Sequence, residues 1–271
     1  MNDKLKLLEE IFQKSRSTTN AMNVVNNLQD INNLKVLVWT FPKSGTSTLG
    51  ASFQKSIDGT SLYKNVTHSH HESCWYTNFS QELQEIGFSF ELLIEFINSK
   101  GIHPLVIQSY RCPVHFYISA YFHKHKHGKK AYPDLNTLFN SSFPGQATYI
   151  DYLKKTFDGL WTHNYDKERG FGFHRGDNYN ILYLDIESID KLSENIKSIE
   201  ELKEYHNLTI DKQNVREGDR DYEKFKDDTV LSEYGINDLY DIHSEPLNYF
   251  YSEEKILKMK ENVINKFVKR K

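Results

Sequence analysis

The residues best placed to do chemistry lie in VLVWTFPKSGTSTLG, Val36 to Gly50. Lys43, Ser44, Thr46, Ser47 and Thr48 surround Gly45, directly after Pro42. Val36-Leu37-Val38-Trp39 is a short apolar run of strand type. Beyond the turn, Leu49, Phe53 and Ile57 recur every fourth residue, as one face of a helix would, and Asp58-Gly59 is a stop. The first N–H groups of a helix have no partner within it, and the helix dipole favours an anion at that end. Gly45 lets backbone approach closely, Lys43 adds positive charge, and the hydroxyls add donors. The stretch therefore suits a phosphate or sulfate, although an ordinary strand-to-helix turn with hydroxyl caps has similar composition. An ATP- or GTP-binding loop orders its residues G-x-x-x-x-G-K-[ST]. Here Lys43 precedes Gly45 and no upstream glycine exists, which speaks against that loop.

Two further segments carry reactive side chains. YRCPVHFYISAYF (110–122) follows an apolar run and puts Pro113 in the first turn of a helix. Val114, Tyr117, Ile118 and Tyr121 form one stripe of that helix, and Ser119 lies off it. THSHHESCW (67–75) offers His68, His70, His71 and Glu72. If it is extended, His68 and His70 share a face and His71 points the other way. A histidine titrating near ~6.5 suits a general base at neutral pH. The bland alternative is a metal-binding or solvated histidine cluster. HKHKHGKK (123–130) reads as a helix end or exposed loop, or else as a basic rim drawing an anionic partner.

The elements that must position these groups alternate. Residues 4–14 have helical spacing, and the polar stretch 15–33 reads as loop. Residues 89–100 form a helix capped by Ser89 and ended by Gly101. Leu105–Ile107 and Ile181–Leu184 are buried strands. Residues 192–205 and 253–270 read as surface helices rich in Lys and Glu. Strands alternating with helices imply an α/β fold, a mostly parallel sheet with helices on both faces. No Pro/Gly/Ser-rich linker divides the 271 residues, so one domain is expected, with 1–33 as N-terminal helix and loop and 34–271 as core.

Composition removes some classes of function. A net charge of −3 argues against a global grip on nucleic acid. Cys74 and Cys112 form neither a metal spacing nor a disulfide framework, and read as reduced thiols of a cytoplasmic protein. The N-terminus lacks the apolar core of a signal peptide, and no segment approaches ~18 uninterrupted apolar residues, so no membrane span is expected.

The order P-K-S-G-T resembles the 5′-phosphosulfate loop of sulfotransferases that use 3′-phosphoadenosine 5′-phosphosulfate (PAPS). A second element agrees: an Arg at a strand end, a Pro two residues on, and a Ser eight residues after the Arg. Arg111, Pro113 and Ser119 match it, whereas Cys112 departs from the Asp or Asn of many members. YDKERGF (165–171), NILYLDIESID (180–190) and FYSEEKI (250–256) look like segments of bacterial sulfotransferase-like proteins of capsular polysaccharide synthesis.

The resemblance implies a P-loop-like α/β fold and transfer of the sulfuryl group from PAPS to a carbohydrate hydroxyl. Pro42, Lys43, Ser44, Gly45, Thr46, Ser47 and Thr48 would hold the 5′-phosphosulfate. Arg111 and Ser119 would grip the 3′-phosphate. Lys43 would stabilise the leaving oxygen, and 3′-phosphoadenosine 5′-phosphate (PAP) would be the product. An H-x-H pair resembles the catalytic segment of some carbohydrate sulfotransferases, so His70 is taken as the base and His68 as its partner or substitute. Glu72 is the carboxylate alternative. No metal is expected, because a sulfuryl group carries less charge than a phosphoryl group and fixed donors can stabilise it. Arg216 and Arg220 in VREGDRDYEKF are weak matches to a late basic loop over the 3′-phosphate, and a solvated loop is the simpler reading. Trp75, Trp161 and Tyr183 are candidates to stack on adenine. Acceptor choice is expected in loops at 76–88 and 123–180. Association with a glycan-synthesis complex is compatible with this reading. The competing readings are a P-loop small-molecule or nucleotide kinase, a non-catalytic nucleotide-binding module, and a metal-storage role for the histidine runs.

Overall fold

The computed structural model describes residues 3–17, 31–40, 44–60, 64–69, 85–125, 165–210 and 220–268. Its strands are β1 (Val36–Trp39), β2 (Val66–Ser69), β3 (Leu105–Tyr110), β4 (Tyr165–Asp166), β5 (Phe171–Arg175) and β6 (Asn180–Asp185). The six form one sheet in the order β2-β1-β3-β6-β5-β4. β2, β1, β3 and β6 run parallel, and β5 is antiparallel to β6. The fold is therefore α/β with a mostly parallel sheet. The chain divides into two compact units, one holding Met1–Tyr110 with Phe171–Gln213, the other Arg111–Gly170 with Asn214–Lys271.

In the first unit both sheet faces are buried, and one carries a large apolar cluster. Val36, Val38, Leu105, Ile107, Leu182 and Leu184 meet Leu49 and Phe53 there. The last two come from α2 (Thr46–Asp58), which ends at Gly59 in left-handed backbone (φ 72°), with the Gly59 N–H donating to the Lys55 carbonyl. Ile57 packs on the same core, so the expected stripe holds. α1 (Asp3–Ser17) buries Leu5, Leu8 and Ile11, and Glu9 pairs with Lys100 at 2.7 Å, just past the end of α3 (Phe90–Ser99). Ser89 caps α3 by accepting the Leu92 N–H, and Phe90 of that helix packs on Trp39 with ring centroids 5.4 Å apart.

Residues 192–205 are not one surface helix. They form α5 (Leu192–Lys197) and a 3-10 segment, Glu200–Tyr205. Leu192, Ile196, Leu202 and Tyr205 belong to the core, so the charged residues between them disguise a buried face. Burial also holds the Tyr205 hydroxyl well above its ordinary pKa, with Glu204 adding to the effect.

The second unit carries α4 (Pro113–His125), α6 (Arg220–Asp228), α7 (Glu233–Ile242), α8 (Ser244–Phe250) and α9 (Glu253–Phe267). Pro113 opens α4, as expected. Residues 220–225, expected as loop, are helical, because Phe225 is buried and packs with Tyr222 against Phe122 of α4. Residues 165–175, expected within an acceptor loop, hold β4 and β5. Tyr165 packs on Tyr249 and Phe250 of α8. Among the described residues no helix is long and apolar enough to cross a membrane.

Candidate functional site

The turn after β1 is built from three strand ends. Gly45 is the N-cap of α2 in left-handed backbone, φ 80° and ψ 12°, and it makes no side-chain cap. A Cβ there would stand 2.2 Å from Ile186 Cδ1, so the position wants glycine for conformation and for space. Ile186 follows directly on β6. Thr40, at the end of β1, shares a 2.8 Å hydroxyl contact with Thr46, and both are buried. Ser109, near the end of β3, donates its hydroxyl to the Ser44 carbonyl at 2.5 Å, also in a buried setting. Thr46 thus faces inward to Thr40, while Ser47 and Thr48 are the partly exposed hydroxyls of the first turn.

The turn also sits at a particular point of the sheet. β1 has β2 on one side and β3 on the other, so the connection out of β1 goes one way and the return from β2 passes to the opposite side. Open α/β sheets bind ligands outside the carboxyl ends of their strands at such a reversal. β3 outruns β1 at that edge. Val38 lies opposite Ile107, which leaves Ser109 and Tyr110 beyond the last residue of β1.

Among the described residues, the ends of β1 and β3 carry no carboxylate. β3 finishes Gln108-Ser109-Tyr110, and β6 finishes at Asp185. Asp185 is fully buried and occupied locally: Oδ1 accepts the Ser188 N–H at 2.6 Å and Oδ2 accepts the Ser188 hydroxyl at 3.0 Å. Among the described residues no three His, Cys, Asp or Glu side chains gather as a metal site.

His68 lies in β2, paired in register with Val38, and Ser69 pairs with Trp39. β2 is anchored by Gln54 of α2, whose Oε1 accepts the N–H groups of Lys64, Asn65 and Val66 at 3.0, 2.9 and 3.1 Å. Pro42, Lys43, His70, His71, Glu72, Cys74, Trp75, Trp161 and Arg216 lie outside the described residues, as do the side chains of His68 and Arg220. Tyr183 is buried in β6.

In the second unit, Arg111 is half-buried and precedes α4, while Ser119 is half-buried within it. Cys112, between Arg111 and Pro113, is a fully buried thiol outside any disulfide, and its Sγ lies 3.5 Å from the Tyr240 hydroxyl of α7. Tyr117 of α4 meets His243, at the α7–α8 junction, edge to face at 6.4 Å. Burial pushes the His243 imidazole down to about 4. The stripe expected on α4 is real in Val114 and Ile118, and Phe116 and Phe122 are buried as well.

Thr40, Ser109 and Ile186 were not evident from the sequence as parts of the turn. Ser109 did leave a trace: it continues the alternation Leu105, Ile107 with a hydroxyl where the core face would call for an apolar residue. Neither protein-family models nor curated proteins yield a match to this chain.

Proposed function

We propose that the protein is a PAPS-dependent sulfotransferase with a sulfotransferase-type, P-loop-like fold, acting on a hydroxyl of a bacterial capsular or other cell-surface glycan. The observation that carries the reading is the address of the PKSGT turn. It lies at the carboxyl end of β1, beside the reversal of strand order, and opens α2 through an uncapped left-handed glycine. β3, on the other side of that reversal, leads straight into Arg111, the residue the resemblance assigns to the 3′-phosphate.

In the proposed reaction the acceptor oxygen attacks sulfur in line. The bond from sulfur to the bridging oxygen breaks, and PAP leaves with the electron pair. The acceptor proton passes to His70, with His68 and Glu72 as the nearby substitutes. Lys43 and the first N–H groups of α2 meet the charge that develops on the departing phosphate, where fixed donors act most strongly. Ser47 and Thr48 supply hydroxyl donors at the same helix end, and Arg111 and Ser119 discriminate the 3′-phosphorylated nucleotide from ATP.

The kinase reading fares worse on one specific observation. A P-loop kinase or NTPase holds Mg²⁺ with a strand-end carboxylate beside the loop. Here β3, one of the two strands beside β1, ends in Gln-Ser-Tyr, and Asp185 at the end of β6 accepts two hydrogen bonds from Ser188.

Calorimetry of PAP against ATP with Mg²⁺, on wild type and Arg111→Ala, tests the proposal. PAP should bind more tightly, and losing a charge-assisted contact at Arg111 should cost on the order of 1.5–3 kcal/mol, roughly ten- to a hundredfold. Tighter binding of ATP with Mg²⁺, indifferent to Arg111, would remove the sulfotransferase reading.

A further inference from the structure

We propose that Ser109 is a positioning residue that holds the PKSGT turn in its anion-accepting form; this rests on the reading of that turn as a phosphate site. Ser109 is fully buried, and its hydroxyl donates to the carbonyl of Ser44, sixty-five residues away in sequence. A trans peptide points its C=O and N–H in opposite directions. Fixing the Ser44 carbonyl on β3 therefore turns the Gly45 N–H away from β3. The next peptide enters α2 through the left-handed Gly45, so the same bond sets the direction from which the first N–H groups of the helix are presented. Gly45 does not enforce this choice by itself, because it makes no side-chain cap and glycine is free to flip between conformations. The Thr40–Thr46 hydroxyl pair ties the first residue of α2 to the end of β1.

Ser109 also lies two residues before Arg111 on the same chain.

The test uses the full chain and three probes: PAP, adenosine 5′-phosphate and inorganic pyrophosphate. Wild type, Ser109→Ala, Arg111→Ala and Ile107→Val are compared by calorimetry and thermal unfolding. Ile107 sits in the core of the same strand and serves as a control that loosens β3 without touching the turn. Ser109→Ala should weaken all three probes by a common factor of about tenfold, the size expected when a buried carbonyl loses its donor. Arg111→Ala should weaken PAP alone. Ile107→Val, at a similar loss of unfolding temperature, should leave affinities unchanged. The proposal is overturned if Ser109→Ala lowers unfolding temperature but not affinity, or if Ile107→Val weakens binding equally. Should wild type bind pyrophosphate but neither nucleotide, the sulfotransferase reading fails while the role of Ser109 is decided by pyrophosphate. A wild type that binds none of the three overturns both.

Discussion

Replacing Gly45 with alanine probes the turn at its tightest point. Two costs add. The backbone sits at φ 80°, where a Cβ costs roughly 1–2 kcal/mol. The new Cβ would also stand 2.2 Å from Ile186 Cδ1, far inside normal contact. That atom is the end of a side chain, so the clash is relieved by rotating Ile186 away from its preferred angle, at about 0.5–1.5 kcal/mol. Gly45→Ala should therefore lose about 2–3 kcal/mol. Ile186→Val removes Cδ1 at a cost of about 1 kcal/mol. In the double variant the worst clash is gone, leaving the backbone strain and a tight 3.0 Å approach to the remaining Cγ1, so the loss should fall about 1 kcal/mol short of the summed single losses. Urea unfolding with a constant slope reads all four corners of the cycle. Strict additivity, or a Gly45→Ala loss below about 0.5 kcal/mol, would refute the picture of a left-handed glycine pressed against Ile186.

Three other outcomes are expected. Gln54→Ala strips one acceptor from three backbone N–H groups at the start of β2 and should cost about 2–3 kcal/mol in urea unfolding, with Gln54→Glu much milder. His243 titrates at about 4 when folded against 6.5 ordinarily, so the unfolded chain takes up its proton first. Its contribution is intact above pH 6.5 and is lost as pH falls from 6.5 toward 4, by about 3 kcal/mol in all, and His243→Leu should flatten that slope in unfolding midpoints measured against pH. His70→Gln should lower sulfuryl transfer by about a hundredfold or more while PAP affinity, read by calorimetry, stays put.

Much of the fold is legible because its signals are local. The apolar runs at Val36–Trp39 and Leu105–Ile107, the Ser89 cap, and Gly59 after α2 each announce an element without reference to the rest of the chain. Residues 192–205 are harder. Their buried positions, Leu192, Ile196, Leu202 and Tyr205, follow a broken helical spacing because the chain tightens into a 3-10 segment. Charge density hides α6 in the same way, since Phe225 is a buried anchor among acids and lysines. β5 needs β6 to exist, and its antiparallel pairing is a tertiary fact. The turn itself is readable as Lys43 to Thr48 in order. Its supports are not, because Ser109 and Ile186 reach it only through the register and order of neighbouring strands.

The most direct measurement is transfer of label from ³⁵S-PAPS to capsular polysaccharide by the purified protein in excess EDTA, beside γ-labelled ATP with Mg²⁺. Label should move from PAPS to the glycan with equimolar release of PAP, insensitive to the chelator, and ATP should give nothing. Intact PAPS, together with phosphate transferred from ATP only when Mg²⁺ is present, would contradict the account.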